Sequence, residues 1–104
     1  MNPALDLIAE AEATLRREVA PGGPEARYHA LLAANALATA RRALSLPAGA
    51  PPEADVPAIR AGAHDDDAAL FGALMADARR RAWVADPAAL TTEDRALTEG
   101  ECRE

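Results

Sequence analysis

The feature that most constrains this chain is a long apolar run, residues 28–46, with the sequence YHALLAANALATARRALSL. No helix-breaking residue interrupts the run before Pro47, and its apolar side chains cover most of a helix circumference. A helix that is apolar over most of its girth is usually buried on several sides. The run therefore predicts the central helix of a small all-α domain, with one amide, Asn35, near its middle.

Alanine makes up most of the apolar fraction. Of the 104 residues, 29 are alanine, whereas the larger apolar side chains are twelve Leu, two Ile, three Val, two Met and one each of Phe, Trp and Tyr. Alanine favours helices but buries little area. The small number of β-branched and aromatic residues disfavours a sheet. This composition predicts one helical domain with a limited core, which a second subunit would stabilise.

Capping residues and helical spacing predict a small bundle of three main helices and a short C-terminal helix. Asn2 and Pro3 are typical of a helix start, as are Pro24 and the aspartates at 65–67. The predicted bounds are about residues 3–19, 24–45, 66–84 and 87–98. The proline-rich stretch 47–57 predicts a loop, followed by a short helical turn over 56–61. We expect one domain over residues 1–98 and a disordered acidic tail over 99–104.

The charge of the chain limits the classes of partner that it is expected to bind. The formal net charge is −6, and all eleven basic residues are arginine. Nucleic-acid binding depends on neutralising phosphates, so without a local basic patch we expect no nucleic-acid partner. The N-terminal residues lack a basic leader and a long apolar segment, so we expect no membrane span. A single Cys102 in a polar tail is typical of a reducing compartment, and we expect a cytoplasmic protein.

Asn35 is the first candidate for a binding role. Its amide either contacts a ligand or fixes the register of an interface, or else it bonds to a neighbouring helix end or loop carbonyl, as buried amides commonly do. We favour the structural interpretation. If a ligand pocket lies between the helices, the candidate residues are Tyr28, His29, Asn35 and Arg42.

Two charged clusters have simple structural explanations. His64 with the following three aspartates resembles a metal site in composition, but consecutive residues do not converge on one ion, and capping of the next helix is favoured. The run Arg79, Arg80 and Arg81, close to Trp83, suggests phosphate or nucleotide binding. We favour a solvated helix face with ion pairs to Asp77.

The sequence shows no set of residues typical of a catalytic site. His29 is a possible general base, but no serine or cysteine on a strained turn lies near it in the sequence. A carboxylate-bridged metal pair requires E-x-x-H motifs on facing helices, and none is present. We therefore expect no catalytic residue, no bound metal and no cofactor, which indicates a protein that is not an enzyme.

Two segments resemble a family of small all-helical bacterial proteins whose function is not established. They are LRREVAPGGPEARYHALLAANALATARRAL at 15–44 and IRAGAHDDDAALFGALMADARRRAWVADPAAL at 59–90. The shared pattern is a helix ending V-x-P, a glycine loop, His before A-A-N-A-L, then I-R-x-G and x-P-x-x-L. The loop at 47–57 replaces a longer helical segment of the family. The resemblance implies genes encoded beside aminoglycoside-phosphotransferase-like kinases and acyl-CoA dehydrogenases.

These observations support two functional hypotheses. The leading one is a non-enzymatic accessory subunit that works with such a kinase or acyl-CoA dehydrogenase. The alternative is a small-molecule-binding helical protein, or a small enzyme, with an inter-helix pocket near Asn35. A second copy of the chain or a partner helix would cover the remaining apolar faces. The candidate interface residues are Leu31, Leu37, Leu44, Phe71 and Met75.

Overall fold

The computed structural model describes residues 2–47, 49 and 52–102, and over these residues the chain is all-α, as predicted. The five α-helices are α1 (Pro3–Thr14), α2 (Pro24–Ser45), α3 (Val56–Arg60), α4 (Ala68–Ala85) and α5 (Thr92–Gly100). Shorter turns link them: a π-helical segment over Leu15–Val19 and 3₁₀ turns over Ala20–Gly22 and Pro87–Ala89. The long first helix expected over 3–19 is thus an α-helix that widens into a π-turn.

The helix starts follow from the capping residues in the sequence. Asn2 Oδ1 accepts hydrogen bonds from the backbone N–H groups of Ala4 and Leu5. Asp67 is the aspartate that caps α4, accepting from the Leu70 N–H at 2.9 Å. Each side chain satisfies a donor that the first helical turn leaves without an intrahelical partner. The predicted capping of these helices is confirmed.

Helices α1 and α2 form an antiparallel pair. Arg16 reaches Asn35 with a 3.0 Å hydrogen bond, while the earlier Glu12 lies 3.5 Å from the later Arg41. Residue numbers therefore rise along one helix as they fall along the other. The turn between them passes through Gly23, whose φ of 133° is readily available only to glycine.

The buried core is small and made mostly of alanine. Its apolar members are Ala20, Ala30, Ala34, Ala38 and Trp83. The buried hydroxyl of Thr98 donates to the Asp94 carbonyl oxygen at 3.0 Å. Alanines at successive turns of α2 bring the helices close together but remove little apolar area from water. Apart from Trp83, the larger apolar side chains of the described residues are half-buried or exposed.

Helices α4 and α5 extend the structure beyond the α1–α2 pair. Helix α5 packs against α4, and Glu101 accepts hydrogen bonds from Arg79 at 2.8 Å and Arg80 at 2.6 Å. Helix α5 ends at Gly100, and the arginines of α4 hold the Glu101 carboxylate that follows it. The disorder expected over residues 99–104 stays a prediction. Residues 103 and 104 of that tail lie outside the described residues.

The assembled chain is elongated. Its Cα radius of gyration is 17.8 Å and its extents are 56 × 32 × 24 Å, whereas a compact chain of this length has a radius of about 13 Å. Its accessible surface is 7382 Å², whereas size scaling gives about 5,500 Å² for a folded monomer of this mass. The chain alone thus exposes about 1,800 Å² more than a typical monomer.

Candidate functional site

The four candidate ligand residues all lie on α2. Of these, Asn35 and Arg42 already have hydrogen-bond partners within the chain. Tyr28 and His29 are exposed, with ring centroids 5.3 Å apart in an edge-to-face arrangement. Asn35 is also exposed, and its Oδ1 accepts the hydrogen bond from Arg16. Arg42 donates from Nε to the Val84 carbonyl oxygen at 2.8 Å.

The structure does not gather these four side chains in one concavity. Neither the groove between α2 and α4 nor the groove between α4 and α5 is lined by Tyr28, His29, Asn35 or Arg42. Tyr28 and His29 are neighbours, but Asn35 and Arg42 follow at intervals of about two helical turns and bond to different elements. The small-molecule site near Asn35 stays a prediction.

The cluster at the start of α4 is organised by capping. One oxygen of Asp67 accepts from the Leu70 N–H, and the other lies 3.5 Å from His64 Nδ1. In the described part of the chain, no three His, Cys, Asp or Glu side chains are arranged to hold a metal ion. The geometry of this cluster is that of a helix N-terminus with its charge-compensating neighbours.

The three arginines of α4 point to two different acids. Arg81 pairs with Asp77 at 3.0 Å, as the sequence predicts. Arg79 and Arg80 instead hold Glu101, 22 and 21 residues further along the chain. The hydrogen bonds from Arg80 and then Arg79 lower the pKa of the Glu101 carboxyl, and Glu101 in turn raises the pKa of Arg80. Sequence reasoning missed this pairing because an acidic tail does not reveal which carboxylate folds back.

The thiol of Cys102 is in an environment that disfavours the thiolate. Burial raises its pKa, and the nearby carboxylates of Glu99 and Glu101 add to the effect. Its Sγ lies 3.6 Å from the Thr98 carbonyl oxygen. Since the thiolate is the nucleophilic form, this position does not activate the sulfur.

A row of exposed, uncharged side chains runs along α2, and we call it the α2 exposed row. It consists of Tyr28, Leu32, Ala36, Ala40 and Leu44, all exposed to solvent and spaced four residues apart. The large members are well exposed, at 65% for Tyr28, 58% for Leu32 and 59% for Leu44. Residues four apart lie on neighbouring turns of a helix, so the row is continuous, but it turns by about 160° around the helix between its two ends. At its C-terminal end Leu44 borders a groove that Arg80 and Arg81 of α4 also line.

A second apolar area lies between α4 and α5, and we call it the α4–α5 surface. Phe71, Met75 and Leu97 are exposed by 66%, 55% and 56%. Beside them lies a groove of about 460 Å³, bordered by Met75, Leu97, the side chain of Arg79 and that of Asp94. The area therefore combines exposed apolar side chains with one basic and one acidic residue along the same groove.

Three of the five predicted interface residues lie in these exposed areas. Leu44 belongs to the α2 exposed row, and Phe71 and Met75 to the α4–α5 surface. Leu31 and Leu37 are half-buried on α2. The structure leaves three of the five open to a partner, while the partner itself stays a prediction.

Comparison with known proteins adds no relative. The chain matches no protein-family model, and neither the curated proteins nor the solved structures contain a significant match. The resemblance of residues 15–44 and 59–90 to the bacterial helical family is thus still a prediction. Separately, none of the helices in the described ranges combines the length and hydropathy needed to cross a bilayer.

Proposed function

We propose that this protein is a non-enzymatic interaction subunit that binds a second protein through the α4–α5 surface. The observation that carries the proposal is the distribution of apolar side chains: Phe71 and Met75 are more than half exposed, while buried positions of α2 hold alanine. Exposed apolar clusters with polar edges are typical of protein-binding sites.

The shape and chemistry of this surface favour a helix or loop of a partner protein. The groove between α4 and α5 is lined in part by the small residues Ala78 and Ala82, so a partner backbone can approach closely. Burial of Phe71 and Met75 would contribute about 1.5–3 kcal/mol each before the costs of association. Asp94, which lines the groove and is in none of the ion pairs among the described residues, would orient the bound segment by pairing with a basic side chain of the partner.

For the identity of the partner we rely on the family resemblance. It implies a phosphotransferase-like kinase or an acyl-CoA dehydrogenase, and the proposal takes one of these as the bound protein. The proposal also includes a cytoplasmic location and the bacterial source that the resemblance implies. These parts rest on the sequence pattern and on the polar environment expected for Cys102.

Affinity capture from the native host, followed by mass spectrometry, tests the proposal. The bait is the wild-type chain, and the test variant is Met75→Asp, which places a carboxylate in the α4–α5 surface. The matched control is Leu7→Asp on α1, where the leucine is 72% exposed and far along the chain from the groove. We expect the wild type and control to retain a kinase or dehydrogenase of the stated classes, and Met75→Asp to lose it by at least ~10-fold.

Two results would contradict this function. One is the repeated recovery of neither enzyme class by the wild type. The other is equal recovery by Met75→Asp. A rise in melting temperature on adding acyl-CoA or nucleotide, abolished by His29→Ala, would instead favour the small-molecule alternative.

A further inference from the structure

We propose that the segment bound between α4 and α5 is an amphipathic helix that carries a lysine or arginine, and that this basic side chain pairs with Asp94. The inference rests on the proposed function, because it names the kind of segment that the α4–α5 surface takes. Three observations support it: the shape of the groove, the charge that the groove presents, and the binding modes that its residues disfavour.

The groove between α4 and α5 runs along one face of α4. The α4 residues that line it are Gly72, Met75, Ala76, Ala78, Arg79 and Ala82. Residues at spacings of three and four lie on the same side of a helix, so most of this set forms one stripe. The distance from the first to the last is about 15 Å along the helix axis. The groove therefore has the length of about three turns of a partner helix.

The side-chain sizes along this stripe suit the packing of another helix. Four of the six α4 residues are glycine or alanine, so the backbone of a partner helix can approach closely. Met75 on α4 and Leu97 on α5 border the same groove and are more than half exposed. Leu90, just before α5, also lines it. Large apolar side chains of a partner helix would pack against these three residues.

The groove presents a carboxylate, whereas the charged end of its arginine is engaged elsewhere. Asp94 is half-buried beside the groove, and in the described part of the chain it belongs to no ion pair. Arg79 donates from Nη2 to Glu101 at 2.8 Å, and its Nη1 is buried. The whole chain also carries a net charge of −6. The groove therefore attracts a basic side chain and repels an acidic one.

The same residues disfavour the other common modes of peptide recognition. Strand addition needs the exposed edge of a sheet, and the described residues form helices and turns without a strand. Polyproline recognition needs aromatic side chains along the groove, and the lining residues include none. Binding of an acidic or phosphorylated segment needs free arginines, and Arg79 is held by Glu101. A helix in the groove is the mode that these residues favour.

Three synthetic peptides of about 14 residues, labelled with fluorescein, test the helix and its charge separately. The first is alanine-rich, with leucines at positions i, i+3, i+4 and i+7 and one arginine beside this stripe. The second has glutamate in place of the arginine. The third has the composition of the first, but its leucines alternate with polar residues as in a strand. Fluorescence anisotropy measures the binding of each peptide to the wild-type chain.

Charge reversal at Asp94 identifies the residue that recognises the peptide charge. The test variant is Asp94→Lys, and the matched control is Glu93→Lys. Glu93 is the exposed neighbouring residue, lies in the same first turn of α5, and does not line the groove. Both substitutions change the net charge and the first helical turn of α5 alike. Far-ultraviolet circular dichroism checks that each variant is helical.

The wild type should bind the arginine peptide about 5–10-fold more tightly than the glutamate peptide. It should bind the alternating peptide at least ~10-fold more weakly than the arginine peptide. Asp94→Lys should reverse the preference between the two helical peptides, and Glu93→Lys should keep it. Equal binding of these two peptides by the wild type would overturn the inference. So would an unchanged preference in Asp94→Lys, or no binding of the arginine peptide at ~1 mM.

A neutral variant covers the case in which Asp94→Lys fails to fold. Asp94→Asn keeps the shape of the side chain and removes its charge, so it should bind the two helical peptides with nearly equal affinity. A preference as strong as that of the wild type would overturn the role of Asp94.

Affinity capture with the same variants separates this inference from the proposed function. If Asp94→Lys retains the partner enzyme as Glu93→Lys does, while Met75→Asp loses it, the inference fails and the function stands. If the wild type recovers neither enzyme class, the function fails, and the peptide titrations still decide what the groove binds.

Discussion

Arg42 on α2 donates a hydrogen bond from Nε to the main-chain carbonyl oxygen of Val84, at 2.8 Å. Its Nη2 also lies 3.5 Å from the carbonyl oxygen of Ala85. The last carbonyl oxygens of a helix lack intrahelical N–H donors and carry partial negative charge, so a guanidinium stabilises them both by hydrogen bonding and by its charge. The contact joins the C-terminal ends of α2 and α4 across more than forty residues of chain.

Replacing Arg42 should loosen the attachment of α4 to α2. We expect Arg42→Met to lower the free energy of unfolding by about 1.5–3 kcal/mol, the range for hydrogen bonds to charged groups. Arg42→Lys should recover only part of the loss, because an ammonium does not reproduce the planar fork. Urea denaturation at one fixed protein concentration measures both. Arg27→Met, at an exposed position of α2, is the control, and an equal loss there would contradict this role.

Trp83 supplies most of the apolar bulk in the described core, being 6% exposed. Trp83→Ala should cost about 3–5 kcal/mol. Trp83→Phe should cost only about 1–2 kcal/mol, because the ring keeps most of the buried area. The buried Nε1 makes no hydrogen bond of good geometry among the described residues, and the nearby Glu99 carboxylate is exposed and paired with Arg95, so loss of Nε1 leaves no buried acceptor unpaired. Circular dichroism during urea titration measures both values, and a Phe variant as unstable as the Ala variant would contradict this packing.

The Glu101 pairing predicts a small acid-dependent loss of stability. Hydrogen bonds from Arg80 and Arg79 lower the pKa of Glu101 below its ordinary value of 4.5 in the folded state. A carboxyl whose folded pKa is lowered stabilises the fold above the unfolded pKa, and this contribution disappears as the pH falls through the folded value. The contribution should stay below about 1 kcal/mol, because the pair is partly exposed.

Melting temperatures measured across the acidic pH range test the predicted direction of this pH dependence. Between neutral pH and pH values below 4.5, the wild type should lose more stability than Glu101→Gln. Glu53→Gln, in the loop before α3, should behave as the wild type does. If the melting temperatures of the wild type and Glu101→Gln fall in parallel as the pH is lowered, the arginines do not lower the pKa of Glu101.

Much of the local structure could be predicted from single residues. Pro24 and the loop after Ser45 give α2 its observed bounds, and Asn2 and Asp67 act as the expected caps. These features depend on short-range backbone chemistry, which the sequence displays directly. The π-turn at Leu15–Val19 has no such signal, because its residues are ordinary helix formers.

The orientation of α2 in the fold and the contact that Glu101 makes with α4 could not be predicted from the sequence. A helix that is apolar all round has no polar side to mark its exterior, so the alanines at 30, 34 and 38 could not be distinguished as its buried row. The contact from Arg79 and Arg80 to Glu101 depends on how α5 folds back on α4, which local spacing does not encode. The same tertiary packing decides that Asn35 bonds to Arg16.

Small-angle X-ray scattering on the wild-type chain tests the central claim most directly, because it reports mass and size together. If the exposed apolar side chains are interaction surfaces, the radius of gyration should be 17.8 Å or more, whether the mass is that of one 10.8 kDa chain or of two. A mass of 10.8 kDa with a radius near ~13 Å would mean that these side chains pack into a compact monomer. That result would contradict the account.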